Sequence, residues 1–146
     1  MSFLDRMRTI VSLKAAPAGR LGLEWSDGTE ALIDIGHFLK DRGFVGLAEP
    51  EEFGRAEIGD WGQSVVWPGG AELGADTLWR ETLSATGHED ARNFLEWRLR
   101  HGLSLSAAAE ALGISRRMVA YYSNGEKAVP KAILLACRGW EAGQAA

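Results

Sequence analysis

The stretch GLSLSAAAEALGISRRMVAYYSNGEKAVP, Gly102 to Pro130, decides how the chain folds at its C-terminal end. Two short helices crossing steeply over a turn of about three or four residues would meet its pattern. Ser104 is placed to cap a first helix that runs to Leu112, and Ser115 a second that runs to about Asn124. Gly113 between them takes a positive φ without a Cβ penalty. Ala109 is small where the two backbones must approach, and Ile114 is apolar where the turn must plug a core. Val119 and Tyr122, three apart, return to that core, and Asn124-Gly125 ends the second helix.

The flanks extend the same reading. Asp90 is expected to cap a helix to about His101 with Phe94 and Trp97 inward, and Gly102 stops it. Pro130 starts a last helix carrying Ile133, Leu134, Cys137 and Trp140, with Gly143 to Ala146 expected to fray. Arg116 and Arg117 occupy the first turn of a helix, where the macrodipole disfavours cations by roughly 0.3–1 kcal/mol each. A choice made for stability would put acids there. The pair reads either as a solvated charged face or as a site whose ligand offsets that cost. Arginine reads guanine bidentately in the major groove, worth about 1–3 kcal/mol of discrimination. Tyr121 either contacts a sugar or thymine methyl, or packs against Leu105.

On these residues the segment from Asp90 to Trp140 resembles the lambda-repressor-like (Xre-type) helix-turn-helix family. The resemblance implies that double-stranded DNA is the partner. It places base-reading positions at Arg116, Arg117 and Tyr121 and phosphate-contacting positions at Asn124 and Lys127. The implied contact set also includes Ser104, Ser106 and Ser115. The family usually has Gln where Leu105 stands and Leu where Ala108 stands.

The preceding residues read as strands. Period-2 alternation places Val11, Leu13 and Ala15 on one side of a strand from Thr9 to Ala15, and Leu21, Leu23 and Trp25 on one side of the next. Ser26-Asp27-Gly28 turns into a third strand with Ala31, Ile33 and Ile35 on one face. Gly36 to Lys40 reads as one helical turn, and Pro50-Glu51-Glu52-Phe53 as a short helix start. Ala56 to Ile58 and Gln63 to Trp67 form a further strand pair ended by Pro68-Gly69-Gly70. A helix with Leu78, Trp79 and Leu83 on one stripe then begins at Asp76 as its N-cap, and Ala85-Thr86-Gly87 breaks it.

LGLEWSDGTEALIDI (Leu21 to Ile35), EPEEFGRAEI (Glu49 to Ile58) and VVWPGGAELGADTLW (Val65 to Trp79) make this part resemble the family catalogued as domain of unknown function 2442. That family implies a small α+β unit, in some relatives fused to a helix-turn-helix. Some members resemble the antitoxin half of two-gene systems. The expected organisation is an α+β chain. Residues 1–87 form a mostly antiparallel sheet with short helices, and residues 88–146 an all-α helix-turn-helix domain.

Composition bounds the rest. The chain has 146 residues and a net charge of −4, but residues 1–87 hold 8 Lys/Arg against 14 Asp/Glu and residues 88–146 hold 8 against 6. An acidic first part is repelled by phosphate, so its expected work is homodimerisation or binding an effector or another protein. Asp5, Arg6 and Arg8 interrupt any leader, no apolar run spans a bilayer, and the single Cys137 forms no intrachain disulfide. These point to a cytoplasmic protein away from membranes. Glu49/Glu51/Glu52, Glu57/Asp60 and Glu72/Asp76 read as solvated acids, and His37, His88 and His101 lack partners at ligand spacing. No nucleophile elbow, catalytic triad or phosphate loop is present, so no enzyme, cofactor or metal is expected. Trp25, Trp61 and Trp67 admit a binding platform or core packing; Trp25 and Trp67 lie on apolar strand faces. A non-enzymatic DNA-binding regulator, with the autoregulating antitoxin as a special case, is the leading reading. The alternative is a protein-interaction module keeping the helix-turn-helix as scaffold, favoured by the small positive surplus and by Leu105 read as exposed.

Overall fold

The computed structural model describes residues 8–145; Asp5, Arg6 and Ala146 lie outside the described residues. The architecture is α+β, antiparallel sheets and short helices followed by helices alone. The described chain divides into two compact units, 8–86 and 87–145.

The first unit opens with a meander of β1 (Ile10–Ala16), β2 (Arg20–Trp25) and β3 (Glu30–Asp34). Leu13 pairs with Leu23, and Leu21 with Ile33. Leu21, Leu23, Trp25, Ile33 and Ile35 are all buried, as their alternation requires. The register slips between Ile10 and Ser12, a bulge that inserts one residue and turns Val11 outward, 54% exposed. Ile10, not Val11, therefore enters the core. At the Trp25–Thr29 turn, Gly28 has φ +91° and its amide donates to the Trp25 carbonyl at 2.9 Å. Gly36–Lys40 forms the expected single turn, as a 3-10 helix.

After α1 (Pro50–Phe53) comes a second antiparallel sheet of β4 (Glu57–Ile58), β5 (Ser64–Val66) and β6 (Glu72–Gly74). β6 was not expected: three residues in a run rich in Gly and Ala carry no alternation signal. Its Leu73 pairs with Val65. The next helix, α2 (Ala75–Ala85), is N-capped by Gly74 without a side-chain bond, so Asp76 sits in its first turn rather than at the cap. There its charge still faces the positive helix end. The Trp25 indole donates to Thr82 Oγ1 at 3.0 Å and meets Trp79 edge-on, with centroids 5.2 Å apart. The Arg8 guanidinium lies over Trp79 at 3.9 Å and bonds Asp27 at 2.9 Å. Trp67 is buried and donates to the Phe53 carbonyl at 3.0 Å.

The second unit holds α3 (Glu89–Arg100), α4 (Leu105–Leu112), α5 (Arg116–Asn124) and α6 (Lys131–Ala145). Its core is Phe94, Trp97, Leu105, Ala108, Ala109, Val119, Ala120, Tyr122, Val129 and Cys137, with Ile114 and Trp140 packed against it. Phe94 meets Tyr122 edge-on at 5.6 Å, and Trp97 meets Trp140 at 5.7 Å. α6 continues as helix past Gly143, where fraying was expected. α3 is N-capped by His88, not Asp90.

Candidate nucleic-acid interface

The geometry of α4 and α5 follows from their caps. Ser104 Oγ accepts from the Ala107 amide at 3.0 Å, and Ser115 Oγ from the Met118 amide at 3.1 Å. Both cap residues have extended backbones, and each bond satisfies an amide left over at a helix start, worth about 0.5–2 kcal/mol. Each hydroxyl keeps its own hydrogen to donate outward. Gly113 stands at φ +70°, the left-handed conformation the turn demands. Ala108 and Ala109 on α4 and Val119 and Ala120 on α5 are buried in the same cluster, so no long side chain separates the helices.

Arg116 and Arg117 are the first two residues of α5, and both are exposed. Neither forms an ion pair with another described residue. Two guanidinium groups thus stand at the end of a helix that already carries positive partial charge. Ser104 at the cap of α4 and Ser106 within it are exposed, and Ser115 is exposed beside Arg116. One turn further along α5, Tyr121 is half-buried, with the Lys127 ammonium 5.1 Å from its ring centroid. That contact lets the ring support the loop cation. Asn124 closes α5 and is half-buried. Exposed Glu126 lies between Gly125 and Lys127 and tempers the loop's charge.

Leu105 is corrected. It is 2% exposed and belongs to the core cluster, so it presents no apolar surface to a protein partner. The first residue of α4 points inward because Ser104 fixes where the helix starts. Beside the small Ala108, an inward Leu105 supplies apolar volume to the core.

Two positioning contacts escaped the sequence reading. Asp90 Oδ2 accepts from the Val129 amide at 2.7 Å, tying the loop that follows α5 to the start of α3. Arg98 donates to Ser123 Oγ at 3.0 Å, and that hydroxyl donates to the Val119 carbonyl at 2.7 Å, joining α3 to α5. Asp90 invites a cap assignment because acids favour helix starts, and its partner lies 39 residues away. Among the described residues no helix is long and apolar enough to cross a membrane, and no group of three or more His, Cys, Asp or Glu could hold a metal.

Comparisons with known proteins agree with this architecture. Residues 10–83 match the family model described as protein of unknown function (DUF2442), and residues 95–137 match a helix-turn-helix model. The chain is similar to a solved structure, a putative DNA-binding protein from Nitrosomonas europaea, at 38% identity and a TM-score of 0.72. That similarity covers 94% of this chain and 88% of the other. No curated protein matches.

Proposed function

The chain belongs to the DUF2442 family and carries an Xre-type helix-turn-helix after that domain, and on this premise we propose that it is a sequence-specific, non-enzymatic DNA-binding transcriptional regulator acting as a homodimer. The observation that carries the reading is the exposed, unpaired Arg116–Arg117 pair at the capped start of α5. Recognition helices enter the major groove with their N-terminal residues at the base edges. Arg116 and Arg117 are then the base readers. Tyr121 reads beside them, and Asn124 and Lys127, with the hydroxyls of Ser104, Ser106 and Ser115, hold phosphates. The name of the Nitrosomonas europaea relative supports the assignment.

Two copies double the small positive surplus of residues 88–146 and set two recognition helices about 34–36 Å apart along DNA. The acidic residues 1–87 serve self-association or partner binding. An autoregulating antitoxin is a special form of this regulator, distinguished by a toxin encoded beside it. With Leu105 buried, the interaction-module alternative keeps only the small positive surplus in its favour.

An electrophoretic shift assay on the DNA upstream of the protein's own gene, at low and moderate salt, tests the proposal. The native protein shifts a discrete site, and the Arg116→Ala/Arg117→Ala variant does not. Equal binding by that variant overturns the assignment.

A further inference from the structure

The first unit carries an apolar projection and an apolar recess. The projection is Trp61, 87% exposed, in a loop between β4 and β5. Its φ of +63° is left-handed, a conformation that costs a non-glycine residue roughly 1–2 kcal/mol. Neighbouring glycines fix the loop. A Cβ on Gly62 would fall 2.7 Å from the Ile10 carbonyl oxygen, and one on Gly59 would strike the Ser64 side chain. The Gly59 amide also donates to the Ser64 carbonyl at 2.8 Å. A large indole is thus held in water by a strained, tightly seated loop. Strain of this kind persists where it presents a group for use.

The recess is a cleft of about 620 Å³, in the size range of ligand pockets. Ala15, Ala16, Leu39, Ala48 and Phe53 line it, and Lys40 is its one charged wall residue. Lys40 is exposed and forms no ion pair with another described residue. Next to the indole stands Asp60, likewise exposed and without an ion pair among the described residues. Knob and recess are both apolar, with an acid beside the indole and one cation in the cleft wall, where exposed Asp41, Glu49 and Glu51 are chain neighbours of the wall residues.

Their placement selects the occupant. The Trp61 loop abuts Ile10 at the start of β1, and the cleft begins at Ala15 and Ala16 at its end. One seven-residue strand separates them, about 20 Å. Exposed Val11 lies on the strand between them. A two-fold axis across the middle of β1 would exchange its ends, and with both features turned to the partner one operation would carry each copy's indole to the other's cleft. That reciprocity is the condition for a closed, isologous pair.

We propose that the first unit is the dimerisation surface, with Trp61 of each copy seated in the Ala16–Leu39–Phe53 cleft of a second copy and Asp60 paired with that copy's Lys40. This deepens the homodimer part of the proposed function and rests on it, but not on DNA binding.

Sedimentation equilibrium of the full chain without DNA tests it. The native protein runs at twice 15.9 kDa. Trp61→Ala raises the dissociation constant about thirtyfold or more, as loss of a buried aromatic anchor does. Trp61 is exposed, so its removal leaves the thermal transition of dilute monomer unchanged. Ala48→Phe, which fills the cleft, has the same effect on association. Lys40→Asp weakens the dimer, and Lys40→Asp with Asp60→Lys restores it. A native protein that is monomeric throughout, open polymers in place of dimers, or equal association by native protein and Trp61→Ala overturns the proposal. A monomer that still shifts DNA sinks only the dimer, and a dimer that shifts none sinks only the DNA reading.

Discussion

At the scale of single residues, burial and pairing decide which side chains are available. The Arg100 guanidinium, 2.7 Å from Glu141 Oε1, is the main reason the Glu141 carboxyl is held below its ordinary value of 4.5; His101 beside it adds to the effect. A group whose folded pKa is depressed stabilises the fold above its unfolded value and loses that contribution as pH falls through the folded one. The contact between α3 and α6 therefore weakens below about pH 4.5. Thermal melts stepped down from about pH 5 to 3 should show a smaller loss of stability in Glu141→Gln than in the native protein. Equal losses would show that the pair is too well solvated to matter. The same scale marks the limit of what sequence reveals. Ser104, Gly113 and Ser115 were legible because caps and left-handed turns are local. Leu105 and Asp90 were not, because an inward or outward first turn, or a partner 39 residues away, depends on tertiary packing. Alternation marked Trp25 and Trp67 for the core, as found, but gave no sign that Trp61 would be held outward, which depends on the fold of its loop.

At the scale of elements, α5 is built against its own electrostatic interest. Its first turn holds two arginines and no acid. Replacing Arg116 and Arg117 with Ala should raise stability by about 0.3–1 kcal/mol per site at low salt, with the gain shrinking as salt is added. Urea unfolding of the variant measures it. A loss of stability instead would mean that the arginines hold the fold and are not free for a ligand. Long periodic elements were readable: β2, β3 and α3 to α6 lie where alternation and helical stripes put them. The three-residue β6 and the bulge at Val11 were not, because each depends on pairing with a neighbouring strand rather than on its own pattern.

For the whole molecule, charge is distributed so that the two ends of the chain treat a polyanion differently. Residues 1–87 are acidic and 88–146 slightly basic, so attraction to phosphate is concentrated in few side chains. The DNA affinity should fall with salt at a slope of about −0.9 per phosphate contact, and Lys127→Ala should shallow it by about one unit per copy without changing which sequence is preferred. Binding titrations at several salt concentrations read the slope. An unchanged slope would remove Lys127 from the contact set.

Cys137 is buried in the helical cluster, and burial first, then the charge of Glu141, pushes its thiol up to about 11. The chain has no second sulfhydryl. An alkylating reagent added at neutral pH therefore meets a protonated, sheltered sulfur and waits for α6 to lift away. Its rate of incorporation becomes a stopwatch for the breathing of the α3–α6 unit, legible by mass spectrometry without any engineered label.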